Sequence, residues 1–600
     1  MSPRTVFTVL EETARREGDK PALHQPIGGK EGGGYRAYSW NQWREMSRSF
    51  ALGLHALGLR KGDLVCLLSE TRAEFYIADI GIMAAGGVAA ALYTSYPMSE
   101  LARSVRASGP GFLVVEDPKS LRELSAALDG NLPKHVILLT GQSDGAVSLD
   151  AFLELGRTWD ARNPGLFEER REQLQSSDPA ILYLTSGATG EPKMGLTSHS
   201  AILANIDMGP VVLPVGPDDS TVVFLPSAHI TQRIVLELVP MRMGMPVWFS
   251  ESLSKLPGEL RSIKPTVFVA PPRLWERMYA TICTEASKRS AFARKLFYGS
   301  LGLGMEAFRC RVEGRPVPPW IASALKVANR VVFRKVKERL GGRIRIAACG
   351  GAPLGKDLAE FFAAIQLPII EGYGLTEAGV ICFNPLNRPK PGSIGVLLPG
   401  VQARIAEDGE LQVRTPCIFH GYYKDDAATR KVLSDDGWFS TGDIADLDND
   451  GYYFITGRKK ELIVSSTGKK VYPARIESLF KMEPLVNQVL LIGDRQPYVT
   501  ALLTLHSNAL RDLQGMDAYR SKPVSEQLSA PPVASAVQSA VSRVNAQLAD
   551  FERIRRFKVL DRDFTIEYGE VTPTMKLRRT QVLENFREQI SELYLGRGEN

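Results

Sequence analysis

Short apolar runs of strand length alternate with segments of helical spacing through much of this chain. Tyr38 to Trp43 opens a helix with Ser39 as its cap, because a serine hydroxyl there can accept from a free N–H of the first turn. Phe50, Leu52, Leu54 and Leu57 continue the apolar repeat. Leu64 to Leu68 reads as a buried strand, and a helix follows through Phe75 and Ile80. Phe112 to Val115 and His135 to Leu139 are further strand-length runs, and the pattern returns at Thr266 to Val269 and Arg343 to Ala347. Strands that alternate with helices predict α/β layers built on parallel sheets. The least charged stretch, Ile80 to Ser99, is rich in Gly and Ala and meets Pro97, so it reads as a buried helix and strand rather than a membrane span.

Composition narrows the class. At 600 residues the chain exceeds what one hydrophobic core organises, so two to four units are expected at roughly 150 residues each. With 44% hydrophobic and 23% charged residues it is ordinary globular protein, neither disordered nor fibrous. A net charge of +6 gives no global nucleic-acid footprint. The six cysteines form no C-x-x-C pair and lie in mostly apolar runs, which reads as reduced, packed thiols of a cytoplasmic protein rather than a disulfide frame or zinc site. Met1 to Asp19 carries Arg4, Glu11, Glu12, Arg15 and Arg16, so no signal-peptide core is expected there.

Charge is uneven. Residues 288–337 hold twelve basic residues against two acidic ones, a net +10 that leaves the other 550 residues at −4. Leu296, Phe297, Tyr298, Phe308, Trp320, Leu325, Val332 and Phe333 are interleaved at helical spacings. A basic helical insertion at about 285–340 is therefore expected, with two readings: a peripheral contact with anionic membrane, or a solvated basic face. The Ser-, Pro- and Ala-rich stretch 521–540 reads as a surface connection within the last unit.

The chemistry begins at Tyr183-Leu-Thr-Ser-Gly-Ala-Thr-Gly-Glu-Pro-Lys193. Glycines, hydroxyl residues and a lysine make a loop whose backbone N–H groups can approach phosphate oxygens. It is not a Walker loop: Pro192 precedes the lysine and Met194 stands where Ser or Thr would follow. By spacing alone it is more often plain turn chemistry than a phosphate site. Glu371-Gly-Tyr-Gly-Leu-Thr-Glu377 adds a flat aromatic (Tyr373) suited to stacking on a base, a hydroxyl (Thr376) and a carboxylate (Glu377) suited to Mg²⁺. In Trp438-Phe-Ser-Thr-Gly-Asp443 the carboxylate can accept from two ribose hydroxyls. Gly457-Arg-Lys-Lys-Glu-Leu-Ile463 and Pro573-Thr-Met-Lys-Leu-Arg-Arg579 contribute two cationic elements.

In this order the five motifs resemble those of the adenylate-forming superfamily, from about Phe7 to Leu595. Leu225-Pro-Ser-Ala-His229, Ala270-Pro-Pro-Arg-Leu-Trp-Glu-Arg277 and Cys349-Gly-Gly-Ala-Pro-Leu354 are most similar to bacterial long-chain fatty acyl-coenzyme A (CoA) synthetases. The resemblance implies a large multi-sheet α/β body at 1–457 and a small mobile α+β domain at 458–600. It implies ATP, CoA and a fatty acid as substrates, with Mg²⁺. Thr185, Ser186, Gly187, Thr189, Gly190 and Lys193 would hold the β,γ-phosphates, and Thr376 and Glu377 the Mg²⁺. Gly351, Ala352, Tyr373 and Gly374 would meet adenine, Asp443 and Arg458 the ribose, and Lys576 the carboxylate and α-phosphate. The C-terminal domain would turn about Lys460, bringing up Ser465 to Lys470, where Gly468 leaves room for pantetheine.

Two residues depart from the superfamily pattern, Ala188 for a hydroxyl residue and Met194 for a glycine; one lost hydroxyl contact costs about 0.5–1.5 kcal/mol. His229 reads either as the mouth of an acyl tunnel or as a histidine satisfied in a strand-to-helix turn. Arg233 reads as a lure for a fatty carboxylate or as a surface ion pair, and His199 as structural. Two other functions stay open: an acyl-adenylate ligase that loads a carrier protein, and a non-catalytic nucleotide- or acyl-binding relative.

Overall fold

A computed structural model of the chain describes residues 4–28, 34–185, 193–572 and 576–595. The expected helix runs Trp40–Ala56, with the Ser39 hydroxyl accepting from the Gln42 N–H at 3.1 Å. Leu64–Leu68 is a wholly buried strand, and the uncharged stretch forms the buried helix Ala73–Ala84 and the strand Val88–Ala91. Burial on every side explains why these strands read as unbroken apolar runs. The later strands are Val267–Ala270 and Ile346–Cys349, the second displaced toward the C-terminus because Arg343 to Arg345 precede the buried run.

Among the described residues the strands form two large sheets and three small ones. In the eight-stranded sheet, Val88–Ala91, Leu64–Leu68, Phe112–Val115 and His135–Leu138 are parallel neighbours. The antiparallel pair Pro179–Thr185 and Lys193–Ser198 lies toward one edge, with Thr185 opposite Lys193. In the nine-stranded sheet Thr221–Val223, Val267–Ala270, Ile346–Cys349 and Ile369–Leu375 run parallel. A four-stranded sheet follows and ends on Phe439–Leu447 and Tyr453–Arg458. The body is thus α/β with several mixed sheets.

A separate C-terminal domain has its own two- and three-stranded sheets, whose strands pair only with one another. Here the reading of 521–540 needs correction. The segment holds the helices Val524–Leu528 and Pro531–Asn545, and Ala530, Val533, Val537 and Ala540 are core residues. The apolar spacing of 533, 537, 540, 541 and 544 is helical, and it outweighs the Pro and Ser content. Pro531 and Pro532 sit in the first turn of the second helix and Pro523 caps the first, where no helical N–H is missed.

The basic insertion is helical as expected, with helices Ala291–Val312, Pro319–Ala328 and Arg334–Glu338 and a π-helical turn Asn329–Phe333 between the last two. No helix of the described residues is long and apolar enough to cross a membrane. All six cysteines are free; five are buried and Cys283 is half-buried.

Candidate functional site

Loops after successive parallel strands of the nine-stranded sheet converge on one cleft. Leu225 to Ile230 follow Thr221–Val223, Pro271 to Leu274 follow Val267–Ala270, and Gly350 to Leu354 follow Ile346–Cys349. Tyr373 to Glu377 end the next strand and turn after it. Ligand sites of open α/β sheets lie at these carboxyl ends, because the loops there leave a crevice above the sheet. The four-stranded sheet and the C-terminal domain supply the remaining walls, and the whole cleft measures 4070 Å³.

Asp443 and Arg458 lie opposite one another in adjacent strands, so register alone makes them neighbours. The Arg458 Nε donates to Asp443 Oδ1 at 2.8 Å, and the Tyr373 hydroxyl donates to Asp443 Oδ2 at 2.6 Å. Asp443 is buried while Arg458 is half-exposed toward the cleft. Burial and the adjacent Asp443 charge hold the Tyr373 phenol far above its ordinary pKa, so it stays a donor.

Gly374 is required sterically. A Cβ there would stand 2.4 Å from the Gly379 carbonyl oxygen, since strands 369–375 and 379–383 cross closely. That close pairing turns Thr376 and Glu377 into the cleft. The Tyr422 hydroxyl donates to Glu377 Oε1 at 2.8 Å, and the Lys193 ammonium lies 4.7 Å from the Tyr422 ring centroid. Tyr422 is thus a joint between two of the motifs. Sequence reading passed over it, because no spacing ties residue 422 to residues 377 and 193. Glu371, quoted in its motif without a role, is buried and accepts from the N–H groups of Leu354 (3.1 Å) and Gly392 (3.2 Å). It ties the loop carrying Gly351 and Ala352 to the end of the neighbouring strand.

His229 is satisfied in the strand-to-helix turn, as one of its readings expected, and it also borders the cleft. Its Nδ1 accepts from the Thr231 N–H at 3.2 Å, so the neutral ring carries its proton on Nε2. The ring nevertheless lines the cleft, with Cε1 3.8 Å from where a Cβ on Gly351 would lie. Burial, and then the Lys576 charge, push its pKa down to about 3. Arg233 corrects both of its readings. It is fully buried and far from any surface pair, with its guanidinium on Asp79 and its Nη1 donating to the Ala89 carbonyl at 3.3 Å. The π-helical turn Thr231–Leu238 aims it inward instead of toward the cleft. His199 is buried and structural, as expected: its Nδ1 accepts from the Val6 N–H at 3.3 Å.

Lys576 comes from the C-terminal domain and enters the same cleft. Its side chain keeps surface open to the cleft, yet the surrounding walls, and then the Arg458 charge, lower its pKa below the ordinary lysine value; Asp443, Glu377 and Glu461 pull the other way. Lys460, in the turn Lys459–Glu461, also lines the cleft. Gly468 does not; it sits in the left-handed region (φ 78°) between strands 463–464 and 470–471. The backbone of Thr185 ends its strand beside Lys193, while Ser186, Gly187, Ala188, Thr189 and Gly190 lie outside the described residues.

The domain is docked by Arg273 Nη1 donating to the Asn487 carbonyl at 2.7 Å, by Lys481 Nζ at 3.2 Å from Glu276, and by Lys288 at 2.9 Å from Asp512. The cleft therefore gathers an aromatic, two carboxylates and several cations in one partly desolvated space. Such a set can hold and neutralise a polyanion.

The family model described as AMP-binding enzyme matches residues 10–423, and that of the AMP-binding enzyme C-terminal domain matches 460–597. The chain belongs to the AMP-binding enzyme family. Among members of that family, it is 35% identical over 556 residues to the long-chain-fatty-acid–CoA ligase FadD15 of Mycobacterium bovis, covering 91% of this chain and 90% of that protein. It is 28% identical to the long-chain-fatty-acid–CoA ligase ACSBG2 of Homo sapiens, over 99% of this chain and 93% of the other. Two solved structures share the AMP-binding enzyme fold. The adenylation domain of a carboxylate reductase from Mycobacterium chelonae superposes with a TM-score of 0.75 at 21% identity, over 99% of this chain and 91% of that one. The anthranilate CoA ligase AuaEII superposes with a TM-score of 0.72 at 19% identity, over 98% and 99%.

Proposed function

We propose that this chain is an ATP-dependent, AMP-forming long-chain fatty acid–CoA ligase. The observation that carries the reading is the meeting of Lys576 with Tyr373, Glu377, Asp443 and Arg458 in one cleft of a chain whose full-length relatives bear that name. In the first half-reaction a carboxylate oxygen bonds to the α-phosphorus of ATP, and the bond from that phosphorus to pyrophosphate breaks. Two anions must approach, so the protein's task is positioning and charge neutralisation. Lys576, on this reading, bridges carboxylate and α-phosphate oxygens. Asp443, held by Arg458 and Tyr373, accepts from the ribose hydroxyls. Gly351, Ala352, Tyr373 and Gly374 form the adenine wall, and Thr185 to Lys193 hold the β,γ-phosphates.

The Thr376 hydroxyl and Glu377 carboxylate are hard oxygen donors of the kind Mg²⁺ takes. When bound, the ion would neutralise phosphate charge.

In the second half-reaction the CoA sulfur attacks the acyl carbonyl and AMP leaves. We place the domain boundary at 457/458, with Lys460 as the pivot. The docked arrangement, with Lys576 in the cleft and Gly468 outside it, suits the first step; rotation would exchange them. His229, whose ring lines the cleft, would stand at the acyl entrance. Tunnel length selects chain length, each further buried methylene contributing about 0.8 kcal/mol. Pyrophosphate release with acids from acetate to stearate tests the reading: a rise with chain length and a requirement for free CoA in thioester formation are expected. No release with any acid overturns it, and release without transfer to CoA redirects it to a carrier-protein ligase. Lys576→Ala is expected to abolish adenylate formation while sparing thioester formation from supplied acyl-adenylate; equal loss of both refutes that division.

A further inference from the structure

We propose that the outward face of the helical segment 319–338 is a docking surface for an anionic lipid bilayer. Its inner side is an ordinary core face: Ile321, Leu325, Ala328 and Phe333 are buried in the cluster that also holds Trp275 and Phe362. A second apolar row flanks that face and stays uncovered, against expectation for a surface helix. Trp320 is 66% exposed, Val327 63% and Val331 47%. Spacings of seven and four put these three side chains along one side of the segment over roughly 16 Å, with Val331 in the π-helical turn. Lys326, Arg330 and Arg334 recur every four residues beside that stripe. A further exposed apolar pair, Phe292 at 79% and Leu296 at 43%, lies one turn apart on the preceding helix.

Charge decides between occupants. Of the twelve basic residues in 288–337, only Lys288, Arg315 and Arg334 reach a carboxylate, leaving nine without an ion pair among the described residues. A solvated basic face gives no use to a tryptophan and two valines aligned in one row, and a second copy of the chain would bring the same positive charge against itself. A tryptophan with flanking aliphatics and rows of Lys and Arg matches the boundary between acyl chains and anionic headgroups, where indole and cation each find their preferred depth. The surface also has a route to the cleft. The helix Pro272–Ser287 runs directly into the basic segment, and its Tyr279 and Thr284 line the cleft wall. If the ligase reading holds, docking would set that wall near the layer where free fatty acids partition.

Co-sedimentation of the full chain with vesicles tests this. Vesicles of phosphatidylcholine with one quarter phosphatidylglycerol are expected to retain about tenfold more protein than pure phosphatidylcholine, and added salt should erase the difference. Lys326→Glu with Arg330→Glu should reduce retention to the neutral-vesicle level, and Trp320→Ser should lower it several-fold at unchanged charge. All three positions are exposed, so unchanged thermal midpoints are expected for these variants. Equal retention on both vesicle types, or variants that bind like the parent, would overturn the proposal. Reversible dimerisation of the parent, lost in the same variants by sedimentation velocity, would assign the face to a second copy instead. Neither readout needs nucleotide or acyl substrate, so failure here leaves the ligase reading standing, and failure there leaves this one.

Discussion

One hydroxyl shows how much of the proposed site rests on second partners. Tyr422 binds Glu377 through its O–H and underlies Lys193 with its ring. Tyr422→Phe keeps the ring and removes the donor, so about 1 kcal/mol of ordering is expected to go, a fall of about five-fold in the adenylate-forming rate with a raised Mg²⁺ requirement. Stopped assays of pyrophosphate release across Mg²⁺ concentrations read both, and an unchanged Mg²⁺ dependence would detach Tyr422 from the site. Arg233 teaches the converse. Its position four residues after His229 invites a role in the cleft, yet it is paired with Asp79 in the interior. Asp79→Asn would remove the hydrogen-bonded counter-charge of a buried guanidinium, leaving only buried Glu237 nearby, and a loss of about 3–5 kcal/mol is expected in denaturant unfolding. A loss below about 1 kcal/mol would mean that the pair is not held as described.

At the scale of elements, the helix His199–Val212 carries a pH-sensitive contact with the N-terminal helix. Burial holds His199 at about 4 instead of 6.5, and its Nε2 has no partner among the described residues. A histidine whose folded pKa lies below its unfolded value binds a proton more tightly when unfolded. Its neutral form therefore leaves stability intact above about pH 6.5 and costs stability as pH falls from there toward 4. Between pH 7 and pH 5 this one group should lower stability by about 2 kcal/mol. Thermal midpoints over that interval should fall, and His199→Gln should reduce the slope by its share, since burial also lowers His24, His55 and His229; an equal slope in the variant would assign the titration to those groups. Elements also account for what was legible. Leu64–Leu68 and the Ser39 cap follow from local rules and appear as read. The 521–540 stretch does not, because turn-type composition was given more weight than a helical row of small apolar residues.

Across the whole molecule, the docked C-terminal domain places Lys576 in the cleft, and on the proposed function its placement would select the half-reaction. The Lys481–Glu276 contact is one of the few charged ties across that interface. Lys481→Ala is expected to weaken docking by about 1 kcal/mol, lowering adenylate formation about five-fold while leaving thioester formation from supplied acyl-adenylate near its parent rate. Parallel assays of the half-reactions check this; equal slowing of both would show that the contact serves folding instead of domain placement.

The chain by itself determined its α/β layers, the identity of five chemical motifs and the basic character of 288–337, because period, capping and residue type are local properties. Tertiary structure alone decided that Tyr422 meets Glu377, that Glu371 ties two loop ends together, that Arg233 turns inward and that Trp320, Val327 and Val331 stay uncovered. Each of those outcomes depends on which distant segment packs against which face, and residues 17 to 154 positions apart carry no record of that in their spacing.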